Sequence, residues 1–347
     1  MTAAEGQPVE IIGGGLAGLG LGLALRQAGV PATVFEAHGY PRHRVCGEFL
    51  TGLDAATIAR LRLGPLLVDA RRHRRVVWCD RDRPTHAQTL PAPALGLSRR
   101  LLDARLAEAF VAAGGALREH ARVAPDPAVA GRVLALGRRR RPSPWLGLKV
   151  HARGLALAGD LELHLGDRAY VGLSAVEDDR VNVCGLFHRR AAGAEAPAAA
   201  GCAVLLRYLE AAGMPALARR LASADIDEAS FCAVAAISFR REAPTPGCLR
   251  LGDHFAMPPP FTGNGMAMAL QGAVLAVDPL VAWHRGELDW MAAADQVNRG
   301  LRRRFRVRLT AANALHPFLL AARPLRWLAL AGRARMLPLR PLYDLTH

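Results

Sequence analysis

Lysine is almost absent from this sequence. Lys149 is the single lysine, so arginine supplies nearly all of the positive side of a formal charge of +15. Aromatic residues make up only 5% of the chain, and none interrupts the arginine-rich runs 71–75, 138–141 and 302–304. Binding of single-stranded nucleic acid combines basic side chains with aromatic stacking platforms, so this pattern disfavours a nucleic-acid partner. We interpret the arginines as a solvated basic face, with an anionic substrate or membrane surface as alternatives.

Paired cysteines and targeting signals are missing as well. The six cysteines are scattered, with no C-x-x-C pair and no His spacing typical of zinc ligands. This excludes a recognisable metal site and indicates reduced thiols. Residues 1–8 carry no basic region like that of a signal peptide, and no uncharged apolar run reaches the length needed to span a bilayer. We therefore expect a cytoplasmic protein.

What the sequence does contain is a glycine-rich turn between two strand-like segments. The apolar run 9–12 leads into Gly13, Gly15 and Gly18, then a helix of small residues, then a strand that ends at Glu36. Glycines at these positions allow a tight turn, close approach of a pyrophosphate and close packing of helix on strand. The carboxylate can accept hydrogen bonds from ribose hydroxyls and would repel a 2′-phosphate. The segment predicts a dinucleotide site for FAD or NAD rather than NADP.

A second anion-binding helix start follows about 240 residues later. A short strand leads into Gly252 and Asp253, then three prolines, then Gly263, Asn264 and Gly265 at the start of a small-residue helix. The N-terminus of such a helix presents unpaired N–H groups to an anion. Two such motifs in one chain point to a cofactor that spans both.

Two further segments carry a family resemblance. The loop 41–50 reads P-R-x-x-x-CGE-x-L in essence, and the segment 99–106 reads R-x-x-L-D-x-x-L. Together with the two glycine motifs, they resemble FAD-dependent aromatic hydroxylases, which are group A monooxygenases, and geranylgeranyl reductase-like oxidoreductases. The resemblance covers roughly residues 9–279 and implies FAD as the cofactor. The family's Asp-Gly motif is not kept, because Leu136 stands where the acid is expected.

The resemblance implies a set of site residues. Arg99, with Arg100 as its rival, is expected at the FAD phosphates, and Cys46 and Glu48 are the tentative catalytic proton donors beside the flavin ring. The inner face of the substrate sheet is expected to present Lys149, His151 and Tyr170, with His164 and Asn182 as further candidates, and Pro260 is expected to face them. The implied FAD contacts are Gly13, Gly15, Leu16, Ala17, Gly18, Glu36, Ala37, Arg44, Arg99, Val123, Gly252, Asp253, Gly263, Asn264 and Gly265.

The fold class that follows is α/β, with a Rossmann-like FAD-binding domain, an inserted antiparallel substrate sheet and C-terminal helices. We assign 1–75, 98–145 and 245–300 to the FAD domain, 76–97 and 146–244 to the substrate domain, and 301–347 to a helical segment. Four short strand-like runs between 145 and 187 build the substrate sheet. Helices are predicted over 203–212 and 215–222, a strand over 231–239, and a proline-containing hairpin or loop over 81–93.

The resemblance implies a monooxygenase of secondary metabolism. NAD(P)H would reduce the FAD transiently, and O2 would form a flavin C4a-hydroperoxide that hydroxylates an electron-rich aromatic, quinol or polyketide-type molecule. The alternative is a C=C reductase of an isoprenoid or lipid; a halogenase is disfavoured because no W-x-W-x-I-P segment is present. A flavin-binding protein without turnover and a basic nucleic-acid binder are the non-enzyme alternatives. Residues 311–330 are expected to pack on the core, with peripheral contact to lipid or an apolar substrate as the alternative.

Overall fold

Two sheets and seven helices make up the described part of the chain. The computed structural model describes residues 6–139, 141–189, 200–239, 243 and 245–320. The strands are β1 Val9–Ile12, β2 Ala32–Phe35, β3 Phe49–Leu50, β4 Arg71–Asp80, β5 Arg83–Gly96, β6 Ala116–Arg118, β7 Arg132–Leu134, β8 Trp145–Arg153, β9 Leu161–Gly166, β10 Ala169–Ala175, β11 Val181–His188, β12 Asp225–Ile237 and β13 Leu249–Arg250. The helices are α1 Leu16–Gln27, α2 Ala55–Arg60, α3 Arg99–Ala112, α4 Cys202–Ala211, α5 Pro215–Ala222, α6 Gly265–His284 and α7 Trp290–Leu320.

The first sheet is parallel and has the strand order β13-β7-β1-β2-β6. Its strands are short and apolar, and α1, α3, α6 and α7 contribute buried side chains to one core with them. Helix α1 begins directly after the glycine-rich turn and packs along α6. Because parallel strands end at one edge of a sheet, the turn after β1 and the turn after β13 lie at the same edge.

The second sheet has eight strands in the order β12-β8-β11-β10-β9-β4-β5-β3. Neighbours are antiparallel except for β4 and β9, which run parallel. Successive side chains alternate between faces. Leu148, Val150, Val171 and Val183 pack beneath α4 and α5 on the outer face. The inner face is turned toward the first sheet and its turns, so the α/β fold class with an inserted, largely antiparallel sheet is confirmed.

The predicted helices near 203–212 and 215–222 are confirmed as α4 and α5. For the segment 81–93 the hairpin alternative is the one observed, because β5 runs through most of it and pairs antiparallel with β4. Its prolines are tolerated because β3 pairs only with the last two residues of β5, which leaves most of one edge of β5 unpaired. Strand β12 also begins at Asp225, six residues before the predicted start.

Strand pairing divides the chain somewhat differently from the expected domain bounds. The substrate domain was expected to begin at residue 76, whereas the second sheet includes all of β4 from Arg71 onward and also the two residues of β3. Helix α7 is continuous across the expected boundary at 300 and 301. Of the segment 311–330, only the part up to 320 is described, and the remainder of the predicted C-terminal helical segment lies outside the described residues.

Helix α6 is long and apolar enough to cross a membrane by length and composition. Two thirds of its most apolar window is nevertheless buried inside the protein. Its buried residues, including Leu270, Ala273 and Val277, belong to the core between the parallel sheet and the other helices. Core packing accounts for the composition of this helix.

Candidate functional site

A large cavity lies between the two sheets. Its volume is about 1670 Å³, whereas pockets for one small molecule are usually about 300–1,000 Å³. One part is bounded by the turns after β1 and β13, and the other by the inner face of the second sheet. The cavity therefore has room for a dinucleotide and a substrate together.

The glycine-rich turn has the geometry of a phosphate cradle. Gly13 has φ +112, and a Cβ there would lie 2.3 Å from the carbonyl oxygen of Ala135. A Cβ at Gly18 would lie 1.9 Å from the carbonyl oxygen of Gly13, so only glycine lets α1 pack this close. At Gly15 the space toward the cavity is open, and the nearest atom to an added Cβ is Arg99 Nη2 at 3.7 Å. The turn thus exposes backbone at the start of α1, where an anion is stabilised.

Glu36 stands beside this turn, at the end of β2. The Gly14 N–H donates to Glu36 Oε2 at 2.9 Å, and the His38 N–H donates to Oε1 at 3.1 Å. Arg42 and Arg44 reach the same carboxylate at 3.7 and 3.5 Å. The two arginine contacts are longer than ordinary hydrogen bonds. The backbone N–H groups therefore fill two of about four acceptor positions, and Glu36, which lines the cavity, keeps capacity for hydroxyl donors.

Two arginines are fixed next to the cradle by one carboxylate. Asp103 receives a bidentate contact from Arg99, at 2.7 and 2.8 Å, and a hydrogen bond from Arg44 Nε at 2.9 Å. Burial by itself lowers the pKa of Arg99, but the Asp103 carboxylate outweighs it and raises that pKa above its usual range. Arg99 and Arg44 line the cavity, whereas Arg100 is exposed and does not. The geometry favours Arg99 over its rival for a phosphate.

The second motif lies beside the first, since a Cβ on Gly252 would lie 3.0 Å from the Cβ of Ala17 at the start of α1. Gly252 has φ +60 and Gly263 has φ +68, and α6 begins at Gly265 with its N-terminus at the cavity. Asp253 lines the cavity; burial raises the pKa of its carboxyl, while Arg99 and Arg138 act in the opposite direction. Asn264 is buried beside Thr51, whose hydroxyl lies 3.3 Å from its Oδ1, and its side chain does not line the cavity.

Of the other residues implied to contact FAD, most line the same part of the cavity. Gly18 does not, because it lies under the turn against Gly13. Leu136, which replaces the expected acid, and Arg138 line the cavity near the end of β7. Of the residues implied to contact FAD, Leu16, Ala17, Ala37 and Val123 also line the cavity.

A polar row on the inner face of the second sheet holds the loop 46–48. Ser174, Asn182 and His151 are direct cross-strand neighbours on β10, β11 and β8. The Ser174 hydroxyl donates to the Gly47 carbonyl at 2.9 Å, and the Asn182 amide donates to the Cys46 carbonyl at 3.0 Å. His151 Nε2 lies 2.5 Å from Glu48 Oε2. The row fixes the backbone of the loop against the sheet.

Glu48 is fully buried behind this loop and does not line the cavity. Its Oε1 accepts the Arg99 backbone N–H at 3.0 Å and lies 3.6 Å from Lys149 Nζ. Burial by itself raises the pKa of Glu48, but the His151 hydrogen bond and the Lys149 charge outweigh it and hold that pKa below its usual range. The structure gives Glu48 the position of a structural anion directly before β3, where its φ is +52.

Cys46, in contrast, does line the cavity, and burial raises the pKa of its thiol. Of the expected substrate residues, Tyr170 and Pro260 also line it. Lys149 and His151 are fully buried beneath the loop 46–48 and do not. The geometry thus separates the expected set into residues that can meet a substrate and residues that hold the loop.

His164 and Asn182 do not line the cavity either. Asn182 lies on the inner face but beneath the loop 46–48, to which it donates. His164 Nε2 lies 2.9 Å from Glu162 Oε2, and its Nδ1 lies 2.8 Å from the Arg81 carbonyl. Glu162 also receives Arg220 at 3.0 Å. These contacts form a buried ion-pair group on the outer side of β9, next to α5.

Three further polar residues line the cavity that the sequence reasoning did not single out. Trp78, His86 and Gln88 lie on the β4–β5 hairpin. The sequence signal for them is the two-residue spacing of His86 and Gln88. This spacing places both side chains on one face only if the segment is a strand. Most of the lining around them is apolar, with Val76, Leu161, Leu163, Leu165, Leu186 and Ile237, while Asp80 and Thr85 of the same hairpin also line the cavity.

His43, His151 and Asp227 present ligand atoms within 4.8 Å of one another, close enough to share a cation. Lys149 Nζ lies 3.1 Å from His43 Nδ1. An ammonium at this distance opposes a second cation by direct charge repulsion. The group is better explained as part of the charged layer under the loop 46–48.

Comparison with solved structures identifies the fold. PqsL of Pseudomonas aeruginosa, a probable FAD-dependent monooxygenase, superposes with a TM-score of 0.70 at 17% identity over 97% of this chain and 99% of its own. HpxO of Klebsiella pneumoniae, solved with FAD and uric acid, gives a TM-score of 0.72 at 17% identity over 99% of this chain and 97% of its own. The flavin-dependent brominase Bmp2 gives 0.74 at 18% identity, over 97% of this chain and 92% of its own.

No protein-family model matches the chain, and no curated protein sequence does. The structural likeness therefore rests on the fold, which extends over nearly the whole of both chains. This is the fold of FAD-dependent monooxygenases, as the sequence motifs predicted.

Proposed function

We propose that the protein is an FAD-dependent monooxygenase that uses NAD(P)H and O2 to hydroxylate a small aromatic, quinol or polyketide-type molecule, in secondary metabolism. The observation that carries the proposal is the shared cavity, in which a dinucleotide cradle opens onto an apolar chamber under the second sheet. Solved structures of the same fold support it, since they include FAD-dependent monooxygenases and one complex with FAD and uric acid.

The residues present fit FAD. The open backbone at Gly15, the Arg99 and Arg44 pair on Asp103 and the carboxylate of Glu36 match a pyrophosphate and a ribose. Asp253 and the N-terminus of α6 line the same cavity. When bound, FAD supplies the redox and oxygen chemistry that amino-acid side chains lack.

The protein's own part is positioning and exclusion of water. The α6 N-terminus directs a partial positive charge into the cavity, which stabilises negative charge on a bound group there. The row of Ser174, Asn182 and His151 fixes the loop that brings Cys46 and Gly47 to the cavity wall. Apolar side chains form most of the lining beneath the second sheet and keep water from a reactive centre.

A C=C reductase is the second candidate, because the Cys46 thiol lines the cavity and its raised pKa keeps it protonated as an acid would need. Isotope labelling separates the two. FAD-loaded protein, NAD(P)H and a panel of phenols, quinols and isoprenoid alcohols are incubated under 18O2. The monooxygenase incorporates one labelled oxygen atom into a product, whereas the reductase yields a product two hydrogens heavier and free of label.

A further inference from the structure

The β4–β5 hairpin presents three polar side chains on one cavity-facing surface. In its register Trp78 pairs with His86, and Val76 pairs with Gln88. Side chains two residues apart on a strand share a face, and diagonal neighbours across an antiparallel pair are about 7–8 Å apart. Trp78, His86 and Gln88 are therefore adjacent, and all three line the cavity.

Each of the three carries a buried polar atom without a hydrogen-bond partner in the described part of the chain. These atoms are Trp78 Nε1, His86 Nε2 and Gln88 Oε1. Leu161 and Leu163 of β9 lie beside Val76 and Trp78 and supply no polar group. Buried polar atoms are almost always hydrogen-bonded, so three exceptions on one surface require an explanation. A ligand in the cavity provides it.

The chemistry of these atoms limits the ligand. An indole N–H only donates and an amide oxygen only accepts, while a neutral imidazole can do either. The matching ligand edge has an acceptor for Trp78 beside a donor for Gln88. Among the described residues of β4, β5 and β9, no lysine or arginine lines the cavity, and Asp80 does. A carboxylate or phosphate is disfavoured at this end for that reason.

We propose that Trp78 and Gln88, aided by His86, form the specificity site for a neutral, flat heteroaromatic ring that carries a carbonyl and an N–H on one edge, as in a cyclic amide. Trp78 Nε1 donates to the carbonyl oxygen, and Gln88 Oε1 accepts the ring N–H. The surrounding leucines and Val76 contact the ring faces. This assignment deepens the proposed function. It rests on that function for the reaction, whereas the binding of the ring can be tested without it.

The test uses two probes that differ in the single N–H: 2-quinolone and N-methyl-2-quinolone. Their binding to oxidised, FAD-loaded protein is measured by titration calorimetry, for the wild type, Gln88→Leu and Trp78→Phe. Thr89→Leu is the matched control, because Thr89 is exposed on the opposite face of β5. The FAD content of every variant is measured by absorbance to show that the fold is kept.

For the wild type, 2-quinolone binds about tenfold more tightly than its N-methyl derivative, the size of one net hydrogen bond. Gln88→Leu removes this preference and leaves the dissociation constant of the N-methyl probe within about twofold of its wild-type value. Trp78→Phe weakens both probes about equally, since both keep the carbonyl, and Thr89→Leu changes neither. Equal binding of the two probes to the wild type, a preference that survives Gln88→Leu, or no binding of 2-quinolone up to its solubility limit overturns the proposal.

No turnover is involved in these titrations. If oxygen labelling fails while the Gln88-dependent preference is found, the proposed reaction is wrong and the recognition site stands. If labelled product forms from another compound while both quinolones bind equally, the reaction stands and the recognition site is wrong.

Discussion

Glu48 Oε1 accepts a hydrogen bond of 3.0 Å from the backbone N–H of Arg99, the first residue of α3. The same carboxylate contacts His151 of β8 through its other oxygen, at 2.5 Å. One buried anion therefore connects the second sheet to the helix that carries Arg99. The negative charge of Glu48 at the N-terminus of α3 is also stabilised by the helix dipole, which strengthens this connection.

The first prediction concerns the Glu48 charge. Glu48→Gln leaves Lys149 without its buried anion, and loss of one member of a buried pair typically costs about 3–5 kcal/mol. We expect a lower thermal midpoint and weaker FAD binding, measured by thermal unfolding and by flavin fluorescence. Glu119→Gln at an exposed site is the control and changes neither. An unchanged midpoint for Glu48→Gln would show that this anion does not hold the two parts together.

The second prediction separates the two neighbouring arginines. Arg99→Gln removes the guanidinium that lines the cavity and leaves Asp103 with Arg44 alone. Charged hydrogen bonds contribute about 1.5–3 kcal/mol, so we expect FAD to bind roughly 10- to 100-fold more weakly. Arg100→Gln, one residue away on the exposed side, leaves the FAD dissociation constant within about twofold. Equal losses in both variants would remove Arg99 from the phosphate site.

The third prediction tests the cradle with a pair of glycines. A Cβ at Gly15 meets only Arg99 Nη2 at 3.7 Å, so Gly15→Ala is expected to fold normally and to lose FAD affinity because the methyl group enters the pyrophosphate space. A Cβ at Gly13 would lie 2.3 Å from a backbone carbonyl at φ +112, so Gly13→Ala is expected to lower the thermal midpoint of the apoprotein itself. Normal FAD binding by Gly15→Ala would contradict the assignment of the turn.

The fourth prediction is a pH dependence of stability at His164. Burial by itself lowers the pKa of His164, but its interactions with Cys79 and Glu162 raise it to about 9. A pKa raised above the unfolded value near 6.5 gives stability that is complete below pH 6.5 and is lost as the pH rises through 9, in total about 3 kcal/mol. We expect the thermal midpoint to fall over this range.

His164→Gln is the comparison for that measurement, because it removes the titration and keeps a polar group beside Glu162. Burial by itself also raises the pKa of Glu162, but the hydrogen bonds from His164 and Arg220 lower it to about 2. Glu162 therefore does not titrate between pH 6.5 and 9 and does not contribute to the slope. Equal slopes for the wild type and His164→Gln in this range would refute the His164 assignment.

Local motifs made the glycine-rich turn and its neighbours at the cavity predictable from sequence. Gly13, Gly15 and Glu36 lie within one strand-turn-helix-strand unit, where spacing along the chain fixes spacing in the fold. Asp253 follows the same logic at β13. The choice of Arg99 over Arg100 was left open by sequence, and it follows from which face of α3 is buried.

The substrate part depends on register between strands that are far apart in sequence. Ser174, Asn182 and His151 form one row only because β10, β11 and β8 pair with a particular alignment. A shift of one residue would turn each of them to the other face. Lys149 and His151 have the right residue types for a pocket, but the loop 46–48 covers them, and the sequence contains no signal for that contact.

The most direct test of the central claim is anaerobic reduction of the FAD-loaded protein by NAD(P)H, followed by rapid mixing with O2 while the flavin absorbance is recorded. The monooxygenase account predicts reduction by the nicotinamide and then a transient species with a spectrum distinct from those of reduced and oxidised flavin. Slow reoxidation in one phase without such a species would contradict it and favour the reductase. Protein that cannot retain FAD at all would contradict both.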